Sequence, residues 1–160
     1  MRDWVVGGGI IETAAGILMV HNRRRNGSSD WSTPGGVIDE GESVIEGLGR
    51  EVNEETGLEV IEWIGPVYEI EAVAIDMEWR LRVEVHRAVA HSGDIRIDDP
   101  DGIVFDARFV PHEQLGEHLA GNQVWVSEPL LDYVAGRKMV EPYRYEITGQ
   151  RGEDIVVTRR

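Results

Sequence analysis

Three glutamates, Glu51, Glu54 and Glu55, stand at positions i, i+3 and i+4. On an α-helix that spacing puts three carboxylates on one face, about one turn apart. Like charges so placed repel by roughly a few tenths of a kcal/mol per pair. A helix gains nothing structural from the arrangement unless a cation sits among them. Clustered oxygen donors suit a hard divalent ion such as Mg²⁺, with Mn²⁺ as the alternative. Standing alone, the three would read more simply as a solvated acidic face.

The stretch around them supplies the positioning elements. Trp31-Ser32-Thr33-Pro34-Gly35-Gly36 reads as a tight turn whose glycines let backbone approach a ligand. After an acidic loop, Ser43 is an N-cap, and Glu46 three residues on completes a capping box. The helix is expected from about 44 to 55, with Gly57 at the C′ position. Val44, Ile45, Leu48 and Val52 form its apolar stripe. Gly47 and Gly49 each cost about 1 kcal/mol relative to alanine, which implies close packing there.

On the N-terminal side, residues 4–12 and 14–22 read as strands. Gly7–Gly9 interrupts the first, marking a bulge or a close backbone approach, of which a bulge is the commoner. Residues 23–30 form a loop carrying Arg23, Arg24 and Arg25. It is either a solvated loop or an arm that meets substrate phosphate. Strands follow at 58–64, broken at Gly65-Pro66, then at 67–74 and 79–90 with a turn near Asp76. In the last of these Leu81, Val83 and Val85 alternate with Arg82, Glu84 and His86. An acidic loop with Asp98, Asp99 and Asp101 leads to a strand at 103–110. A short helix opens at Pro111, and another runs from about 127 to 135 with Ser127 as cap. A strand hairpin is expected at about 141–160. With no repeat and no long linker, the 160 residues read as a single domain.

Net charge is −14, from 16 basic and 30 acidic residues. Phosphate contacts need basic patches, so no nucleic acid partner is expected. There are no cysteines, which excludes disulfides, zinc–thiolate sites and thiol nucleophiles. The N-terminus lacks a signal-peptide layout and no apolar run is long enough to span a membrane. A cytoplasmic protein without membrane association is the expectation.

From Gly36, five residues lead to Glu42, and seven more lead to Arg50-Glu51-Val52-Asn53-Glu54-Glu55-Thr56-Gly57-Leu58. This resembles the Nudix hydrolase signature GX5EX7REUXEEXGU, with U aliphatic, at every specified position. The flanking Trp31–Gly36 and Phe109–Leu115 also resemble that family. The resemblance implies an α/β (α+β) fold, an α/β/α sandwich around a mixed β-sheet. It implies metal-dependent hydrolysis of the diphosphate linkage in a nucleoside diphosphate joined to another group. A nucleoside triphosphate or a nucleotide sugar such as ADP-ribose is the implied small-molecule substrate. By the same resemblance, Glu51, Glu54 and Glu55 are metal ligands, with a backbone carbonyl of Gly35. Glu51 and Glu54, with Arg50 as orienting partner, carry the catalysis. Gly36, Glu42 and Gly57 are structural in the motif. Arg23, Arg25 and Trp31 are candidates for substrate binding.

Two departures from the family pattern stand out. Thr33 occupies a position where an apolar residue is common. The late-loop acid has no clear counterpart, and Asp101 is the candidate, with His86, His91 and His112 as other candidate bases. Trp31, Tyr68, Trp79 and Trp125 are the aromatics available to stack on a base. The competing reading is a nucleotide-binding sensor with little turnover. An isoprenyl diphosphate isomerase ranks last, because it normally needs a cysteine. The terminal hairpin could also join a partner's sheet edge as a homodimer.

Overall fold

The computed structural model describes residues 1–160. Six strands form the larger sheet. These are β1 (Arg2–Ile10), β5 (Gly35–Val37), β6 (Glu59–Ala74), β7 (Trp79–Ser92), β9 (Tyr143–Thr148) and β10 (Val156–Arg159), in the order β10-β9-β6-β7-β1-β5. β1 runs parallel to β7 and β9 parallel to β6, while the other pairs are antiparallel, so the sheet is mixed. A smaller sheet contains β2 (Glu12–Thr13), β3 (Gly16–Arg23), β4 (Ser29–Ser32) and β8 (Val104–Val110), with β3 paired to the other three. The helices are α1 (Val44–Thr56), α2 (Leu115–Leu119) and α3 (Val124–Val134). Leu48 and Val52 of α1 pack with Ile11, Leu18 and Leu58. Leu115, Leu119 and Leu130 of α2 and α3 pack instead on Ile70, Val83 and Val85. The sheet therefore has helices on both faces, an α+β sandwich. Each large aliphatic side chain so buried contributes about 1.5–3 kcal/mol.

α1 forms where its local signals place it. The Ser43 hydroxyl accepts the Glu46 N–H at 3.1 Å, and Gly57 closes the helix in the left-handed region at φ 80°. The apolar stripe is narrower than its pattern suggests: Leu48 and Val52 are buried, but Ile45 is 40 % exposed. Only Gly47 of the two helix glycines is required by packing. A Cβ there would come within 2.7 Å of the Ile38 methyl, whereas at Gly49 it would meet nothing.

The glycine triplet of β1 is not a bulge, because its register against β7 is unbroken from Arg2 to Ile10. A Cβ at Gly7 would lie 3.2 Å from Leu48, and one at Gly9 2.8 Å from the Trp63 ring. The glycines let α1 and Trp63 settle onto the sheet. Gly35 and Gly36 likewise belong to a short edge strand rather than a turn, Gly36 pairing with Gly7.

Three further boundaries move. Residues 23–30 are a tight hairpin between β3 and β4, with Arg23 opposite Ser29. β6 continues through Gly65-Pro66 with shifted register and a cis bond. α3 starts at Val124, so Ser127 is not its cap; the Val126 and Ser127 N–H groups bond to Gln123 O. Asn122 anchors that start by donating to Trp31 O at 2.7 Å and accepting the Gln123 N–H at 2.7 Å. The terminal hairpin forms, and β9 adds it to the chain's own sheet beside β6.

Candidate active site

α1 lays its C-terminal half along the outer edge of β5. Gly36 has no side chain, so the Glu51 carboxylate can lie against it. A Cβ at Gly36 would sit 2.6 Å from Glu51 Cδ. Gly35, at φ 153°, donates its N–H to Glu55 Oε2 at 3.3 Å. The chain from 93 to 103 closes the third side. Arg96 N–H bonds to Thr56 O at 2.8 Å and docks this loop on the end of α1. Asp99 holds the loop's shape by accepting the N–H groups of Asp101, Ile103 and Val104 at 3.2, 3.0 and 2.9 Å.

The result is a cavity of about 610 Å³ lined by Glu51, Glu54, Glu55, Asp39, Asp99 and Asp101, with Arg24 and Arg50 as its cations. Burial pushes the Glu55 carboxyl up to about 9, against the opposing Gly35 hydrogen bond and with help from Glu51 and Asp99. Burial also raises Glu51, which Arg50 opposes while Glu54 and Asp101 add to the rise. Glu42 behaves oppositely. The Arg50 guanidinium holds its carboxyl down to about 2. Arg50 grips Glu42 with a two-pronged contact, Nε and Nη2 both at 2.9 Å, and Glu42 also accepts the Asp39 N–H at 2.9 Å. This ties the 38–42 loop to α1. The remaining Arg50 nitrogen reaches Glu51 at 3.1 Å and Glu54 at 3.3 Å.

The donor chemistry of this cavity matches a hard divalent cation: several carboxylates, one of them buried with no cationic partner. No three acidic or histidine side chains converge into a ligating array, and Arg50 engages Glu51 and Glu54.

A second cavity, about 240 Å³, opens on the α3 side of the sheet. Its floor is Val6, Gly8, Tyr68, Ile70, Val83 and Val85, and Trp125, Val126 and Leu130 wall it. Arg24, Ser32 and Gly35 line both cavities, so the two meet at that rim.

Of the residues singled out from sequence, the structure gathers Glu51, Glu54, Glu55, Arg50, Gly35, Gly36 and Asp101 around the acidic cavity, braced by Glu42 and Gly57. Arg23, Arg25 and Trp31 line neither cavity. The Arg23 guanidinium lies 4.9 Å from the Phe105 ring centroid, and Trp31 stacks on His21 at 4.2 Å with Arg108 at 4.8 Å. Trp79 packs near Trp4 at 6.4 Å, and His86, His91 and His112 lie outside both cavities. Of the arginine triplet, Arg24 is the member that lines both cavities, held to Asp30 at 2.6 and 2.7 Å, although it is not among the substrate-binding candidates picked from sequence. Sequence reading missed Asn22 and Ser32, which hydrogen-bond each other at 2.9 Å on the cavity wall. Strand alternation was the available signal: on either side of an outward Arg23, Asn22 and Arg24 face the other way.

Solved structures share this fold. The Escherichia coli ORF135 protein superposes with a TM-score of 0.69 at 19% identity, covering 86% of this chain and 94% of that one. A mutator MutT protein from Bacillus halodurans gives 0.69 at 20% identity, covering 98% and 96%. An ADP compounds hydrolase gives 0.64 at 14% identity, covering 83% and 71%. No curated protein matches the chain. The family model described as NUDIX domain matches residues 1–134. With that match lying over the acidic cavity, the smaller sheet and four strands of the larger one, the chain belongs to the NUDIX domain family and is a Nudix hydrolase.

Proposed function

We propose that this chain is a Mg²⁺-dependent diphosphohydrolase of nucleotides, with Mn²⁺ as an alternative ion. Its substrate is a nucleoside triphosphate or a nucleotide sugar such as ADP-ribose. One observation carries the reading: an apolar cavity and an acidic cavity share the rim Arg24, Ser32 and Gly35. A nucleotide has the matching division, a flat, largely apolar base joined to a polyanion.

In this reading Glu51, Glu54, Glu55 and the Gly35 carbonyl hold the ion. When bound, it neutralises phosphate oxygens and lowers the pKa of a water. Glu51, half-buried and raised in pKa, is suited to accept that water's proton. Asp101, exposed on the facing loop, is a further acid on the cavity wall. Arg50 orients Glu51 and Glu54 while it holds Glu42. Arg24 contacts a phosphate at the rim, and Tyr68 and Trp125 contact the base. The protein acts in a reducing compartment such as the cytoplasm, which the cysteine-free sequence suits. No helix is long and apolar enough to cross a membrane.

The test is release of phosphate, diphosphate or nucleoside monophosphate from a panel of triphosphates and nucleotide sugars, with and without Mg²⁺. Turnover that requires the ion supports the proposal. Tight nucleotide binding with no metal-dependent turnover would replace it with a binding module.

A further inference from the structure

The apolar cavity has a wall that the catalytic edge does not hold. α3 supplies Trp125, Val126 and Leu130 to that wall. What fixes its outward side is the hairpin of β9 and β10, which lies beyond the 1–134 segment matched by the family model. Tyr143 Oη donates to Asp132 Oδ2 at 2.9 Å, and Tyr145 Oη donates to Glu128 Oε1 at 2.6 Å. Arg159 of β10 joins both contacts, with Nη1 3.1 Å from Glu128 and its guanidinium 5.0 Å from the Tyr143 ring centroid. The two acids lie on consecutive turns of α3, at i and i+4. α3 is thus pinned at two levels along one stripe. Tyr143 also packs edge-on to Tyr68 at 6.3 Å, and Tyr68 lies in the cavity floor.

We infer that the C-terminal hairpin is a positioning device for substrate binding. Tyr143 and Tyr145 fix the distance between α3 and the sheet, and so the width of the slot that takes the base. The inference rests on the proposal that the apolar cavity holds the nucleoside. Both hydroxyls donate to carboxylates, and such charge-assisted bonds are about twice as strong as neutral ones. They hold a short helix that carries Pro129 in its interior and so has one fewer backbone bond to hold it. None of these residues touches the acidic cavity, so the chemical step is left to the α1 edge.

The test uses the full chain and three variants: Tyr143→Phe, Tyr145→Phe and the pair together. Each removes a hydroxyl and keeps the ring. The double variant is expected to raise KM for the best nucleotide about tenfold with kcat within about twofold. Amide exchange should quicken over 124–134 and stay unchanged over 44–56. A merely structural role would quicken exchange without moving KM, and that result would overturn the inference. So would an equal fall in kcat with KM unchanged. Val126→Trp, which fills the cavity itself, separates the two levels of the argument. If it raises KM and the tyrosine pair does not, the hairpin inference alone fails. If it leaves KM unmoved, the cavity is not the nucleoside site and the reading beneath fails.

Discussion

The acidic cavity and the apolar cavity meet at Gly35 but were assembled in different ways. The acidic one comes mainly from one continuous stretch, Gly35 to Glu55, closed by the 99–103 loop. Its carboxylates are held by a helix with local caps and by one arginine. The apolar one draws on β1, β6, β7 and α3, residues from Val6 to Leu130. In the proposed function the first sets the kind of reaction and the second the kind of substrate. On that proposal specificity can change while the chemistry stays fixed, because the two linings share only Arg24, Ser32 and Gly35.

That separation can be broken at defined points. The largest effect is expected at Glu55. Glu55→Gln keeps the shape and removes the charge, and the loss of several kcal/mol of transition-state stabilisation corresponds to about a thousandfold in kcat. Steady-state kinetics, with circular dichroism showing that the fold is kept, would check it. Next comes Gly36→Ala. Its new methyl would collide with the Glu51 carboxylate rather than with backbone, so folding should survive. Turnover should fall about a hundredfold as Glu51 is displaced, readable as kcat at saturating Mg²⁺. At the shared rim, Arg24→Ala should raise KM about tenfold and weaken the salt dependence of KM. A matching Arg25→Ala should change neither.

The last effect is read on stability instead of turnover, as a pH dependence without metal. Burial raises the Glu55 pKa from 4.5 to about 9, so the carboxyl is protonated in the folded state and ionised in the unfolded one between those values. Unfolding then releases a proton. Metal-free stability is fullest below pH 4.5 and falls as pH rises toward 9, by up to about 1.4 kcal/mol per unit. Thermal unfolding at pH 6 and pH 8 should show the fall. Added Mg²⁺ should recover more stability at pH 8 than at pH 6.

The same contrast explains what the sequence could and could not reveal. α1 was legible because Ser43, Gly57 and the carboxylate spacing act within a few residues of one another. The Arg50–Glu42 tie was also local. For Gly7 and Gly9 the sequence favours a bulge over a close approach, because the close packing of Leu48 and Trp63 that needs them comes from far along the chain. The start of α3 was missed because Asn122 anchors it to Trp31, a contact across the fold that overrides the local capping signal of Ser127. Within the arginine triplet only Arg24 lines the cavities, since the β3–β4 register decides which of three neighbours turns inward. Of the apolar cavity only Tyr68 and Trp125 stood out in the sequence, as aromatics able to stack on a base; the other members look like ordinary core residues until the sheet and α3 assemble them.

The most direct test sets Glu55→Gln beside Val126→Trp, measuring kcat and KM for one nucleotide across a Mg²⁺ titration. The account predicts that Glu55→Gln collapses kcat and weakens the response to Mg²⁺. Val126→Trp should act chiefly on KM and leave the Mg²⁺ response in place. A Glu55→Gln protein that turns over nucleotide at the wild-type rate, with the same Mg²⁺ dependence, would contradict it.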